Sequence, residues 1–198
     1  MAISPDGKHV AVSASTGGVV HVLDVATGEE VGNFPSGDSP HENIYSEDGE
    51  RIFHAAIGQV FTPLDRGRVV KQLTKGERLF QTFEIIKRFD LREKLDEAGY
   101  THLSPAIRPM AHTDDERYFY FQVSFFHGFL EYDMEEDRVT RLAHLPNLVP
   151  NLPREKYVND SAHHGIALSG DQSTLCVAGT MSDYVAIVSR ETFEYTIF

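Results

Sequence analysis

The sequence predicts an all-β protein built from four copies of a small antiparallel sheet. A short polar turn that runs into a β-rich strand recurs at residues 4–12, 46–54, 113–121 and 169–177. Further strand-like segments follow each copy, as residues 19–25 and 29–34 do in the first. Because β-branched and aromatic runs separated by turn residues are typical of strands, each copy of about 40 residues is expected to form four short antiparallel strands.

Repeated four-stranded units indicate a β-propeller, because one small sheet cannot bury both of its faces and has to stack against neighbours. A β-sandwich is the alternative, but a sandwich would not repeat the same turn at the same place in four units. We therefore predict one β-propeller domain, residues 1–198, with about four blades. The expected blades are approximately residues 1–36, 37–90, 104–145 and 160–198.

Two stretches of the first copy carry a resemblance to a known family. Ile3-Ser4-Pro5-Asp6-Gly7-Lys8 and Val22-Leu23-Asp24-Val25-Ala26-Thr27-Gly28 resemble the repeat of YVTN-type, YncE-like β-propellers, a WD40-like superfold. The chain has no Trp, so the Trp-Asp signature of WD40 blades is absent. The resemblance implies a ring of six to eight blades and an extracytoplasmic, periplasmic or secreted protein, although the N-terminus shows no export signal.

The alignment of the copies places Met1 inside an innermost strand. We therefore expect either the C-terminal part of a larger ring or a chain that completes a ring by self-association through exposed blade edges. A closed four-bladed ring is the less favoured alternative.

Composition excludes several classes of protein. The chain has 18 Lys and Arg against 30 Asp and Glu, a net charge of −12, which would repel a phosphate backbone and argues against nucleic-acid binding. No apolar run approaches 18 residues, so we expect no membrane-spanning helix. A single cysteine, Cys176, excludes an internal disulfide and a multi-cysteine zinc site.

Two long connections, residues 90–106 and 143–162, are predicted to lie on one face of the propeller, which we call the top face. Leu91, Leu95 and Ala98 recur at helical spacing before Gly99, which predicts a short helix in the first connection. Long loops in compact domains often bind ligands or form lids. The basic stretch 62–75 is interpreted as an insertion within the second copy.

The alignment also brings several polar residues to the top face, where a central channel would open. His41, Arg108 and His164 occupy equivalent positions, and the candidate ligand-binding residues are His41, Glu42, Arg108, His127, His164 and Asp183. Three of these, His41, His127 and His164, are also candidate ligands for a divalent transition metal, since imidazole and carboxylate suit such ions. A polar channel holding water or a small ligand, and histidines that only close hydrogen bonds, are the alternatives.

Two functions remain open from the sequence. The first is a binding module that presents a His/Arg-lined channel to a small molecule or a partner protein at the top face. The second is a metal- or cofactor-dependent propeller enzyme of the lactonase, lyase or oxidoreductase type, which only the resemblance implies. Two further residues are expected in the interior: His54 aligns with Val12 and Val177, and Cys176 aligns with Ala11 and Tyr120.

Overall fold

A computed structural model describes residues 1–58, 70–75, 81–82 and 84–198. The described residues form four small sheets whose main strands are all antiparallel. The chain divides into two compact units, residues 1–93 and 94–198, and each unit contains two of the sheets. The expectation of four antiparallel four-stranded sheets is confirmed. None of the described helices is long and apolar enough to cross a membrane.

The first sheet follows chain order and consists of β1 (Ala2–Ile3), β2 (His9–Ala14), β3 (Val19–Asp24) and β4 (Glu30–Pro35). A two-residue strand, Gln81–Thr82 (β8), adds to its outer edge in parallel with β4. The second sheet consists of β5 (Pro40–Tyr45), β6 (Arg51–Ala56), β7 (Val70–Lys75) and β9 (Glu84–Asp90).

The interpretation of residues 62–75 as an insertion is wrong for the last six residues. These form β7, the third strand of the second sheet, which pairs with β6 and β9. Residues 62–69 lie outside the described residues. Because β7 carries two lysines, the basic composition of the stretch did not indicate a strand.

The predicted short helix is confirmed as α1 (Leu91–Glu97), in which Leu91 and Leu95 are buried. It ends where Gly99 adopts a left-handed φ of 82°, and the Tyr100 N–H donates back to the Leu95 carbonyl at 2.7 Å. A glycine in this conformation is the common stop for a helix, because it has no Cβ to strain.

The third sheet consists of β10 (Ile107–His112), β11 (Tyr118–Val123), β12 (Gly128–Asp133) and β13 (Arg138–His144). Two single-turn 3-10 helices, Arg154–Lys156 and Val158–Asp160, lie in the connection to the fourth sheet. The fourth sheet consists of β14 (Ile166–Leu168), β15 (Thr174–Gly179), β16 (Tyr184–Ser189) and β17 (Tyr195–Ile197).

One hydrogen-bonded turn explains why the four sheets begin alike. In each, a Ser or Thr hydroxyl donates to the Asp carboxylate two residues later and accepts the backbone N–H five residues later. The residue after the Asp has a positive φ in every copy: Gly7, Gly49, Glu116 and Gln172. These hydrogen bonds hold the carboxylate in its charged form and lower the pKa of Asp6 and Asp171 to about 2.

Each unit has its own apolar core between its two sheets. In the second unit Tyr120 and Phe129 of the third sheet pack with Leu175 and Val177 of the fourth. In the first unit Ala11, Val20, Val22 and Phe34 pack with Ile52 of the second sheet. The cores consist of alternate, inward-facing residues of consecutive strands, as expected for packed sheets.

An arginine also joins the third and fourth sheets at their outer side. Arg141 donates to both oxygens of the buried Glu131, and to the backbone carbonyls of Arg190 and Glu191 at 2.9 and 2.8 Å. Its guanidinium stacks 3.9 Å from the Phe193 ring centroid. These contacts form one wall of a cleft of about 670 Å³ between the two sheets.

Two expectations about interior residues have opposite outcomes. His54 is fully buried, as expected. Cys176 is exposed, so the expectation of a buried thiol is wrong. The alignment correctly placed Cys176 on the face occupied by Ala11 and Tyr120, but among the described residues no side chain covers that face of the fourth sheet.

Candidate functional site

Side chains from three separate segments of the second unit form a polar site, which we call the His127 patch. Arg108 comes from β10, His127 from the loop between β11 and β12, and Tyr157 with Asp160 from the connection after β13. His164 stands two residues before β14. Two of the predicted site residues contact the connection after β13, Arg108 at Asp160 and His127 at Tyr157.

A distorted strand places Arg108. The pairing register of β10 and β11 shifts between Ile107 and Met110, as at a β-bulge. Bulges redirect a side chain, and they are frequent beside functional sites. The Arg108 guanidinium donates from Nε and Nη2 to Ser124 Oγ at 2.9 and 2.8 Å and lies 3.8 Å from an Asp160 carboxylate oxygen.

The loop that carries His127 requires a glycine at its end. Gly128 has φ of 149°, and a Cβ there would lie 1.9 Å from the Ala143 carbonyl oxygen and 2.8 Å from the Phe126 ring. The loop is also tied to the connection after β13, because the Phe125 N–H donates to the Asp160 carbonyl at 3.0 Å. The chain therefore holds His127 and the Tyr157 segment together through backbone contacts.

His127 is half-buried against two rings. Its Nε2 is 3.0 Å from the Tyr157 hydroxyl, and its ring centroid is 5.5 Å from that of His163 in an edge-to-face arrangement. Burial lowers the pKa of His127, so the ring is neutral at pH 7. Within the described part of the chain, His127 Nδ1 and Ser161 Oγ are buried without a hydrogen-bond partner.

His163 lies beneath the patch in a directional hydrogen-bond chain. The Gly128 N–H donates to its Nδ1 at 3.3 Å, so its Nε2 carries the proton and donates to the Tyr184 hydroxyl at 2.8 Å. That hydroxyl in turn donates to the Pro146 carbonyl at 2.9 Å. Burial lowers the pKa of His163 to about 4 and raises that of Tyr184 to about 12, so both are neutral.

His164, the neighbour of His163, is only half-buried. Burial lowers its pKa, and the positive charge of Arg108 contributes in the same direction.

Two predicted site residues, His41 and Glu42, lie in the first unit. The register of β5 and β6 shifts between Pro40 and Glu42, so His41 stands at an irregularity like that of its counterpart Arg108. Both side chains are half-buried, and burial raises the pKa of Glu42.

A nucleophile-like arrangement also occurs in the first unit. Ser36 Oγ lies 2.5 Å from His54 Nε2, and Asn43 Oδ1 lies 2.9 Å from His54 Nδ1. Burial lowers the pKa of His54 to about 4. All three side chains are buried, so no substrate reaches the hydroxyl, and we interpret the group as a structural network between the first and second sheets.

The sixth predicted residue, Asp183, lies on an exposed turn with φ of 51°. Throughout the described ranges, no hydrogen bond or ion pair joins it to the other candidates. Nor do the described residues contain a group of three or more His, Cys, Asp and Glu side chains placed to hold a metal ion. The metal set His41, His127 and His164 therefore stays a prediction from the sequence.

Comparison with known proteins identifies the fold. No family model and no curated protein sequence matches the chain. Among solved structures it is similar to Kuenenia stuttgartiensis hydrazine synthase, with a TM-score of 0.67 and 15% identity over 100% of this chain and 48% of that one. The Myceliophteria thermophila Cps50 (Swd1) β-propeller domain gives 0.64 and 13% over 94% and 50%. The RRP9 WD40 repeats give 0.63 and 12% over 99% and 49%.

The fold is a WD40-like β-propeller. Each of the four sheets is one blade, and the chain spans about half the length of the solved structures it matches. At identities of this size the likeness shows the fold and leaves the activity open.

Several residues of the His127 patch were missed from the sequence. Tyr157 and Asp160 lie in the connection 143–162, which was predicted to be a binding loop, but the polar turn-like composition there gave no reason to single them out. Ser124 stands in the loop that was assigned to the top face. An aromatic residue within a long proline-containing loop is the one signal that would have pointed to Tyr157.

Proposed function

We propose that this chain is a protein-interaction module of the β-propeller type and that the His127 patch binds a segment of a partner polypeptide. The observation that carries the proposal is that Arg108 and His127, from separate segments of one unit, contact Asp160 and Tyr157 of the same connection. Propellers commonly build recognition sites from loops on a rigid scaffold in this way.

The chemistry of the patch favours a polypeptide over an anionic ligand. His127 and His164 are neutral at pH 7 because burial lowers the pKa of both, and His127 Nε2 is already paired with the Tyr157 hydroxyl, which leaves Nδ1 of that ring for a partner. The charge of Arg108 is already balanced by Asp160. Neutral donors and acceptors beside the Phe125 and Tyr157 rings suit backbone amides and uncharged side chains, and a net charge of −12 disfavours phosphates.

One unpaired polar atom supports a role in binding. A partner could satisfy Nδ1 of the half-buried His127, which has no hydrogen-bond partner within the described ranges. Such a group carries a free-energy cost until it is paired, so a partner that reaches it gains affinity. A small polar molecule would use the same atom, and this alternative is an outcome of the experiment below.

The finer assignments remain part of this proposal. We propose that the repeats are of the YVTN type, on the resemblance of Ile3-Ser4-Pro5-Asp6-Gly7-Lys8, and that His41, Glu42 and Asp183 contribute to ligand binding. The metal- or cofactor-dependent enzyme of the sequence analysis has no observation in its favour among the described residues.

Selection of peptides from a random library tests the proposal. The purified chain is immobilised and probed with a phage-displayed library of random peptides, and enriched peptides are measured by fluorescence anisotropy. Replacing His127 by Ala removes the ring that contacts Tyr157, and Tyr157→Phe removes only the hydroxyl. We expect His127→Ala to weaken peptide binding by about tenfold or more, the scale of one or two lost hydrogen bonds and a ring contact.

Lys8→Ala, on the turn of the first blade, is the matched control and should leave affinity unchanged. Enriched peptides that bind His127→Ala as tightly as the native chain would contradict the proposal. No enrichment, together with binding of a small polar compound that depends on His127, would replace it with the small-molecule alternative.

A further inference from the structure

We propose that the cleft between the third and fourth blades binds a free basic amino acid, a small ligand with one carboxylate and two cationic groups. The cleft lies within the second unit and has a volume of about 670 Å³, which is in the range of small-molecule sites. Strands β11, β12 and β13 line one side, and the turns at residues 171–173 and 189–191 of the fourth blade line the other. None of these lining residues belongs to the His127 patch.

The third blade departs from the repeat at this cleft. The fourth residue of the third strand is Val22 in the first blade, Leu73 in the second and Ile187 in the fourth, but it is Glu131 in the third. The same register with the preceding strand makes these positions equivalent. Apolar residues there would hold blades together at least as well as a buried ion pair, so stability does not account for the glutamate. Departures from a local rule are expected at functional sites.

Glu131 and Arg141 already neutralise each other. Glu131 is 3% exposed, and it accepts hydrogen bonds from Arg141, from Thr140 Oγ1 at 2.7 Å and from the Tyr120 hydroxyl at 2.9 Å. Burial alone would raise the pKa of Glu131, but these donors lower it, so the carboxylate is charged. The pair therefore adds no net charge to the cleft and leaves ligand recognition to the fourth blade.

Arg190 supplies a positive charge that the described residues do not pair. Its backbone is fixed, because its N–H donates to the Ser173 carbonyl at 2.9 Å and its carbonyl accepts from Arg141. The side chain is half-buried, and within the described part of the chain its guanidinium makes no hydrogen bond or ion pair. Its charge adds to the lowering of the pKa of Asp115, which the Thr113 hydroxyl mainly causes, without an ion pair between the two. Such a guanidinium suits a ligand carboxylate, which it binds through two parallel N–H donors.

Two negative charges face the same cleft. The Glu191 carboxylate is exposed and has no partner among residues 84–198. Asp171 accepts from Ser169 and Ser173 through Oδ1 alone, and these hydrogen bonds lower its pKa to about 2, so Oδ2 remains charged and open to a ligand. One positive and two negative groups are thus available in the cleft.

The charges of the cleft match a basic amino acid in number and sign. At neutral pH such a ligand has one carboxylate for Arg190 and two cationic groups for Asp171 and Glu191. Its net positive charge also agrees with the −12 of the chain, which attracts cations and opposes a purely anionic ligand. The inference adds a second site to the proposed interaction module and does not depend on the His127 patch.

Nuclear magnetic resonance titration of the isotope-labelled 198-residue chain tests the site. The probes are L-lysine, cadaverine, which lacks the carboxylate, and L-norleucine, which lacks the side-chain ammonium. We expect L-lysine to shift the backbone signals of residues 171–173 and 189–191. We also expect it to bind about tenfold or more tightly than either analogue, the scale of one lost charge-assisted hydrogen-bond pair.

Three variants assign the charges. Arg190→Gln should weaken L-lysine binding by about tenfold or more and should not weaken cadaverine binding, because only the carboxylate loses its partner. Glu191→Gln should weaken the binding of both ligands. Arg138→Gln is the matched control, since it changes the net charge as Arg190→Gln does, on a side chain that is 58% exposed and outside the cleft. It should leave both affinities unchanged.

Several results would overturn the proposal. One is the absence of shifts at residues 171–173 and 189–191 with L-lysine at about 10 mM, tenfold above a dissociation constant of about 1 mM. Another is a loss of L-lysine and cadaverine binding by the same factor in Arg190→Gln. Binding of N-acetyl-glycyl-glycyl-lysine as tight as that of L-lysine would replace the free amino acid by the C-terminus of a polypeptide. His127→Ala should bind L-lysine as the native chain does, so failure of this site and failure of the His127 patch are distinguishable.

Discussion

At the scale of single residues, buried neutral histidines are the feature with the clearest consequences. His54 and His163 each occupy a fully hydrogen-bonded interior position, and burial lowers the pKa of both to about 4. Sequence alignment indicated an interior position for His54 because its counterparts are valines. It could not show the partners of His163, since these are the Gly128 N–H and the Tyr184 hydroxyl, both far from His163 in the sequence.

The histidines predict a loss of stability in mild acid. An unfolded histidine takes up a proton below about pH 6.5, whereas His54 and His163 stay neutral in the fold until about pH 4. The unfolded state therefore binds more protons in this window, and the free energy of unfolding should fall as the pH drops from about 6.5 to about 4. Urea unfolding followed by circular dichroism across this range measures the slope.

The variant His163→Gln measures how much of the pH dependence of stability comes from His163. Glutamine does not titrate, so the pH dependence should become shallower, and it should persist in part because His54, His127 and His164 also have lowered pKa values. A variant slope equal to that of the native chain would contradict the assignment.

Gly128 predicts a sharper effect at a single position. A Cβ at residue 128 would lie 1.9 Å from the Ala143 carbonyl, against backbone that cannot move aside cheaply. We expect Gly128→Ala to lower the free energy of unfolding by about 3 kcal/mol or more, within the range of severe backbone and packing strain. Chemical denaturation measures the change, and a loss below about 1 kcal/mol would contradict the geometry.

At the scale of elements, the turn-strand repeat was predictable and its irregularities were not. The Ser/Thr-x-Asp turns are local, so the sequence shows them directly. The register shifts beside His41 and Arg108 depend on how a strand meets its neighbour, which no single segment encodes. The strand β7 was missed because its two lysines obscure the alternation of apolar and polar residues that indicates a strand.

The geometry of the turns predicts that alanine substitution at Gly7 and at Gly170 changes stability by different amounts. Gly7 has φ of 71° with nothing within 4 Å of its added Cβ, so only the backbone conformation opposes a side chain. Gly7→Ala should destabilise the chain by about 1 kcal/mol, the cost of a left-handed conformation for an L-residue. Gly170 also has open space but an ordinary φ, so Gly170→Ala is the matched control and should be neutral or slightly stabilising. Equal thermal shifts for both variants would contradict this explanation.

At the scale of the whole molecule, the number of repeats in the sequence predicted the architecture. It did not predict which faces of the sheets are covered by a neighbouring sheet. The alternation of Cys176 with Leu175 and Val177 assigned Cys176 to the right side of its sheet. Whether another sheet covers that side depends on the number of blades present, so a periodic pattern alone gave the wrong exposure.

The overall charge predicts indifference to nucleic acids. A net charge of −12 repels a phosphate backbone at physiological salt, where the repulsion acts over roughly 8 Å. Fluorescence anisotropy with a labelled 20-base-pair DNA and a single-stranded RNA should show no binding at micromolar concentrations of the protein. Saturable binding that weakens with salt would contradict this prediction.

Arg141 has a mechanical consequence. Its contacts with Glu131, Arg190 and Glu191 connect the outer strand of the third blade to a turn of the fourth. A pulling force applied at Phe198 would therefore break the hydrogen bonds between β17 and β16 one at a time. Separation of the fourth blade from the third would in contrast require all the guanidinium contacts to break together. In an optical trap the native chain should show a distinct force peak that Arg141→Ala lacks.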